Sequence, residues 1–201
     1  MPTRNHDLHG NTPDTAPVAL LLIDVINDLE FEGGDDLLRH ALPAAERIAA
    51  LKRRARERGI PAIYVNDNFG RWQSDFRRLV DHCLHDGVRG RELAERLAPA
   101  DDDYFVLKPK HSGFFSTTLE TLLRYLEVRT LVLTGFTADY CVLFTANDAY
   151  MRDYTLHVPR DCVASERVAW CDDALTLMAR VLKADATESA ALDLDALWAS
   201  T

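Results

Sequence analysis

The chain has 201 residues, enough for one domain at roughly 150 residues each, with 47% hydrophobic and 27% charged residues. That balance excludes a mainly disordered, collagen-like or fibrous chain. The 32 acidic against 23 basic residues give a formal net charge of -9, a poor basis for gripping a phosphate backbone. No apolar run approaches the ~18 residues a membrane helix needs, so neither nucleic acid nor membrane is expected as a partner.

Residues 1–16 are polar, with Pro2, Asn5, Asn11 and Pro13 among them, and lack the apolar centre of a signal peptide. They read as a flexible lead-in to a single domain over residues 17–201, with the cytoplasm as the default address. Val18 to Asp24, VALLLID, is a continuous apolar run ending in a carboxylate. Such a run marks a strand buried on both faces. Asp36 to Arg58 carries Leu38, Leu42, Ala45, Ile48, Ala49, Leu51 and Ala55 at helical spacing, and Gly59 is placed to stop it. Ile60 to Asn66 is a second buried strand. A loop over residues 67–74 follows, then polar helices over Asp75–Leu84 and Arg91–Leu97. Tyr104 to Leu107 is a short third strand. Ser116 is the expected N-cap of a helix with Leu119, Leu122, Leu123 and Leu126 as its apolar stripe.

Thr130 to Gly135 is a fourth strand, followed by a helix from about Cys141 to Arg152. Thr155 to Val158 is a fifth strand, and a helix over Glu166–Lys183 follows. The tail has room for a short edge strand and a terminal helix around Leu192–Trp198. Strands alternating with helices predict βαβ units, a mostly parallel sheet and right-handed crossovers. In such sheets ligands bind beyond the carboxyl ends of the strands. That rule singles out Asp24, Asn66, Lys108 and the segment after Gly135.

Each candidate has a bland reading beside the chemical one. Asp24 is either aimed into a crevice or satisfied by turn amides. Only four lysines occur, Lys52, Lys108, Lys110 and Lys183, and two fall in the segment after the third strand. Lys108 sits nearer the sheet end than Lys110; a lysine there either fixes an anion or is ordinary turn charge. Cys141 lies six residues past Gly135, where a helix begins. A thiol at a helix N-terminus feels a dipole that favours thiolate, and free amides there suit an oxyanion. The alternative is a small buried hydrophobe, the reading that fits Cys83, Cys162 and Cys171. With no CxxC pair, the four cysteines are expected as free thiols. Asp, Lys and Cys converging on one crevice would supply acid–base chemistry, electrostatic support and a nucleophile.

Three blocks, LLLIDVINDLEF, VLKPKHSGFFST and LVLTGFTADYCVLFTANDAYMRDYTLHVPRDCVAS, resemble the isochorismatase-like cysteine hydrolase family over Val18 to Ala164. The resemblance implies a three-layer α/β/α sandwich around a mostly parallel sheet and a catalytic Asp24, Lys108 and Cys141. Asp24 would take the thiol proton and later pass one to the leaving group, Lys108 would support both charges, and Cys141 would form an acyl-enzyme that water hydrolyses. It also implies a non-proline cis peptide at Phe136–Thr137 and an oxyanion hole from the Thr137 and Cys141 amides. A homo-oligomer, dimer or tetramer, is a further implication, to which the aromatic residues Phe69, Trp72 and Phe76 add support as interface anchors.

Three departures shape the expected function. Ile26 and Leu29 stand where the family's first block commonly has Gln and Phe, which alters the pocket floor. Asn66-Asp67-Asn68-Phe69 has no histidine where nicotinamidases carry Asp-x-His for a metal. The cysteine that ether-cleaving isochorismatases commonly lack is present, which favours C–N hydrolysis. The expectation is therefore a metal- and cofactor-independent amidohydrolase acting on a small amide, carbamoyl or ureido compound. Vinyl ether hydrolysis and a catalytically silent binding subunit are the alternatives. Asp81, His82, His85 and Asp86 form the other metal candidate, with two histidines on one helix face; a zinc site would want a further ligand and partners behind it, and solvated surface is the preferred reading. Asn68, Phe69, Trp72, Phe115 and Tyr140 are the candidate pocket lining.

Overall fold

The computed structural model describes residues 15–69 and 75–199; the lead-in over residues 1–14 and Trp72 lie outside them. The elements run β1 (Val18–Ile23), α1 (Gly34–Glu57), β2 (Ala62–Asp67), α2 (Phe76–His85), α3 (Arg91–Arg96), β3 (Tyr104–Lys108), α4 (Leu119–Tyr125) and β4 (Thr130–Phe136). A π-helical turn (Ala138–Val142) leads directly into α5 (Leu143–Tyr150), followed by β5 (Thr155–His157), β6 (Val163–Ala164), α6 (Val168–Leu182) and α7 (Leu194–Ala199).

All the strand pairings are parallel, in the order β3-β2-β1-β4-β5, with β6 also on β4. Every residue of β1 is buried, because the sheet is covered on both sides. Val18, Leu20 and Leu22 pack with α1, α2 and α3 on one face. Ala19, Leu21 and Ile23 pack with α4, α5 and α6 on the other. This is the three-layer α/β/α arrangement. Each fully buried Leu or Ile of β1 contributes roughly 1.5–3 kcal/mol.

The chain order reverses between β1 and β4, the place where a crevice opens beyond the strand ends in sheets of this kind. Asp24 follows β1 and Cys141 follows β4, so both lie at that reversal.

Several elements differ from expectation. Ser116 adopts φ 53 and does not cap α4; the helix starts behind Thr118, and Thr117 Oγ1 accepts the Leu119 amide at 3.2 Å. The helix after β4 begins three residues early, in the π turn, so Cys141 lies inside its first turn. The tail's edge strand is a single parallel bridge, His157 with Asp185, and β6 is an additional strand. Phe76 is not an interface anchor within this subunit's geometry: it is buried, stacked 5.0 Å from Phe105 and 5.7 Å from Tyr64.

Candidate active site

The register of the strands assembles the site. Ile23 pairs with Gly135 across β1 and β4, and Asp67 pairs with Lys108 across β2 and β3. At Gly135 the backbones approach so closely that a Cβ would lie 2.0 Å from the Ile23 carbonyl oxygen, and φ is +117°. Only glycine fits that approach. Asp24 turns the chain out of β1 with φ 51, while its amide still donates to the Val65 carbonyl at 3.0 Å.

Lys108 is fully buried and reaches over β2 toward β1 and β4. Its Nζ lies 2.7 Å from Asp24 Oδ2, 3.7 Å from Asp67 Oδ2 and 3.4 Å from Cys141 Sγ. The Asp67 amide donates to Asp24 Oδ1 at 2.7 Å. Both Asp24 oxygens are therefore engaged, and its carboxyl shares the Lys108 ammonium with the Cys141 sulfur. Among the sequence candidates, Asp24, Lys108 and Cys141 meet in one cluster. The Phe136–Thr137 peptide is cis, and Thr137 is extended just before the π turn, with its carbonyl accepting the Val142 amide at 3.1 Å.

The loop after β3 is tied to the cysteine's helix. Thr145 Oγ1 donates to the Cys141 carbonyl at 2.7 Å and accepts the Gly113 amide at 3.0 Å. Ser112 Oγ also bonds the Asp148 carboxylate. These contacts bring His111 to Cys141, Nδ1 to Sγ 3.8 Å. The imidazole is flanked by Tyr140 and Phe144, each 5.4 Å away between ring centroids.

Burial pushes the Asp24 carboxyl above its ordinary value, against the pull of Lys108 and the hydrogen bonds from Cys141 and Asp67. Burial also opposes the charge on Lys108, but Asp24, Cys141 and Asp67 outweigh it and hold the ammonium above its usual range. The Cys141 thiol is pushed well up, by burial first and then by the Asp24 carboxylate, with Lys108 opposing. Desolvation and the neighbouring carboxylate thus oppose the thiolate that a helix N-terminus would favour. A thiol held this way needs a base at the moment of attack, and Asp24 is the carboxylate on the same ammonium.

The other three cysteines are buried, with thiols pushed up to about 12 at Cys83 and Cys162 and about 11 at Cys171. Cys141 is the one that is part-exposed among the four free thiols. Burial raises all four thiols, so it is exposure that leads us to expect iodoacetamide to label Cys141 first, as mapped by peptide mass spectrometry. Equal rates at Cys141 and Cys83 would contradict it.

Of the candidate lining, Tyr140 packs on His111, and Asn68 is buried with its amide donating to the Lys108 carbonyl at 3.0 Å. Phe69 and Phe115 are exposed in the loops after β2 and β3. Three residues escape the sequence reading: Asp67, whose place follows from its register with Lys108, and His111 and Phe144. Tyr140 and Phe144 stand four apart on a helical turn, a spacing that puts them side by side. In the other candidate cluster, His82 pairs with Asp86 at 2.7 Å and lies 3.4 Å from Asp28. Among the described residues no group of three or more His, Cys, Asp or Glu is placed to hold a metal ion, and no helix is long and apolar enough to cross a membrane.

Comparison with known proteins agrees with this architecture. A family model described as the Isochorismatase domain matches residues 18–190. An uncharacterized isochorismatase family protein of Bacillus subtilis, YaaI, is 44% identical over 172 residues, covering 86% of this chain and 94% of that one. The ureidoacrylate amidohydrolase RutB of Methylorubrum extorquens is 29% identical over 169 residues, 70% of this chain and 67% of that protein. The crystal structure of N-carbamoylsarcosine amidase from Thermoplasma acidophilum superposes with a TM-score of 0.67 at 29% identity, covering 88% of this chain and 98% of that one. The matched span, the identity to YaaI and the parallel sheet make this chain a member of the isochorismatase-like cysteine hydrolase family.

Proposed function

We propose that the protein is an amidohydrolase that cleaves the C–N bond of a small amide, carbamoyl or ureido compound through an acyl-enzyme on Cys141. The observation that carries this reading is the single buried ammonium of Lys108 in contact with both Asp24 and the Cys141 sulfur. In the proposed acylation, Asp24 accepts the thiol proton as Sγ attacks the carbonyl carbon. The C–N bond then breaks as Asp24 passes that proton to the nitrogen, which leaves as ammonia or an amine. Water next adds to the acyl carbon as Asp24 takes its proton, the C–S bond breaks, and Asp24 returns the proton to the sulfur to restore the thiol. Lys108 holds the negative charge that moves between Asp24 and Cys141, and the Thr137 and Cys141 amides are the proposed donors to the oxyanion. The two relatives with named activities, one for a ureidoacrylate and one for an N-carbamoyl compound, support the substrate class.

A screen of small amides and ureides with ammonia or amine release as readout tests the proposal. Turnover lost in Cys141→Ala is the expected result. Hydrolysis confined to an isochorismate-like ether, with no nitrogen released, would favour the vinyl ether reading, and no turnover together with an unreactive Cys141 would favour a silent subunit.

Activity on the substrate so found is expected to survive EDTA. The second-strand loop offers Asp67 but no histidine beside it, and the Asp67 carboxylate faces Lys108, a poor neighbour for a cation. Loss of activity restored by zinc, manganese or iron would contradict this.

A further inference from the structure

A groove of about 840 Å³ lies beside β6, and none of Asp24, Lys108 and Cys141 lines it. Among the described residues β6 pairs with β4 alone, so its second edge has no partner strand. The groove is bounded by that strand, by α6, by His40 of α1 and by Ala186 of the tail. Its size is that of a small-molecule site.

The floor is apolar. Val163, Ala164 and Cys171 are buried there, and Leu175 is half-buried. The rim is cationic. Arg160, just before β6, and Arg180, in the last turn of α6, are both exposed. Arg160 Nε donates to the Ala186 carbonyl at 3.0 Å, which fixes the side chain and leaves its two terminal nitrogens for another acceptor. Among the described residues neither guanidinium has an ion-pair partner, and Asp172, the one carboxylate that lines the groove, is paired with neither. Elsewhere in this chain of net charge -9, Arg56, Arg58, Arg89, Arg91, Arg96 and Arg152 all hold carboxylates. The two rim arginines are thus left uncompensated over an apolar floor.

We infer that this groove is a second ligand site, which takes a small carboxylate carrying an apolar body. A guanidinium presents two parallel N–H donors to a carboxylate. An exposed ion pair alone is worth little in water, so the body has to contribute by covering Val163, Ala164 and Leu175. The inference goes beyond the hydrolase reading and does not depend on it.

The test is a titration of the nitrogen-15-labelled full chain with 2-naphthoate, read by backbone amide shifts, with 2-naphthylmethanol as the uncharged counterpart. Saturable shifts are expected at Ala164, Leu175, Ala179 and Ala186, unchanged when Cys141 has first been alkylated with iodoacetamide. Arg180→Gln is expected to weaken naphthoate binding by on the order of 10-fold, and the alcohol to bind wild type weaker by a similar factor. Arg160→Gln should act in the same direction, with thermal melts matched to wild type because Arg160 also ties the tail. Shifts confined to the surroundings of Asp24 and Cys141, equal affinity for acid and alcohol, or unchanged affinity in Arg180→Gln would overturn the inference. So would the absence of saturation at millimolar naphthoate, whether the groove is bare or covered by a second copy of the chain, two cases that light scattering separates.

Discussion

Lys108→Ala is expected to lower kcat/KM on the enzyme's amide substrate by a factor on the order of 10²–10⁴, the usual scale for losing a positioned acid–base function. Lys110→Ala should cost far less. Lys108 ends β3 and is fully buried against Asp24 and Cys141, whereas Pro109 fixes the turn that carries Lys110 out to an exposed position. Removing the ammonium leaves the Asp24 carboxylate buried without its ion-pair partner. That further raises its pKa and removes the positive charge facing the sulfur. Folding is checked by thermal melting, because breaking a buried pair also destabilises. Asp24→Asn combined with Cys141→Ala should be scarcely worse than either change alone, since groups that act as a unit give grossly non-additive losses. A folded Lys108→Ala enzyme at near wild-type efficiency, or a larger loss at Lys110, would overturn the assignment.

Gly135→Ala is expected to destabilise the protein by on the order of 4 kcal/mol, a large share of the ~5–15 kcal/mol that holds a domain folded. The methyl group would meet the Ile23 carbonyl oxygen at 2.0 Å, with the Ile23 amide nitrogen at 2.7 Å, at a φ that L-residues rarely adopt. These are backbone atoms of the neighbouring central strand and cannot swing aside. Any relaxation must part β1 from β4 at the point where Asp24 and Cys141 leave the sheet, so activity should fall in whatever fraction remains folded. A chemical denaturation midpoint within error of wild type would show that the strands do not need this close approach.

The parts of the fold that can be read from sequence are those whose pattern is dictated by burial on both faces. LLLI in β1 and TLVLTG in β4 have no polar face because α1–α3 cover one side of the sheet and α4–α6 the other. The carboxyl-end rule then places Asp24, Lys108 and the Cys141 segment at one edge. β6 is two residues long and too short to show a pattern. The π turn has no signature in residue types, and it moves Cys141 into the helix.

His111 is invisible to pattern reading because one exposed residue in a loop carries no periodicity. Its place beside Cys141, 30 positions away, follows from the Gly113–Thr145 hydrogen bond that ties its loop to the cysteine's helix. The thiol's state is illegible for a related reason. A helix N-terminus is visible in sequence, whereas the desolvation that opposes it belongs to the packed cluster. Phe76 reads as an exposed aromatic until β2 and β3 place Tyr64 and Phe105 against it.

The homo-oligomeric state implied by the family is a proposal, and a light-scattering mass equal to one chain at micromolar concentration would refute it. The most direct test of the central proposal, that Cys141 carries the acyl group, is acid-quenched mass spectrometry during turnover of the amide substrate found by the screen. The expected result is a mass increase equal to the substrate's acyl group on the peptide bearing Cys141, absent from Asp24→Asn and Cys141→Ala enzyme. Full turnover with no adduct on that peptide, or undiminished turnover by Cys141→Ala, would contradict it.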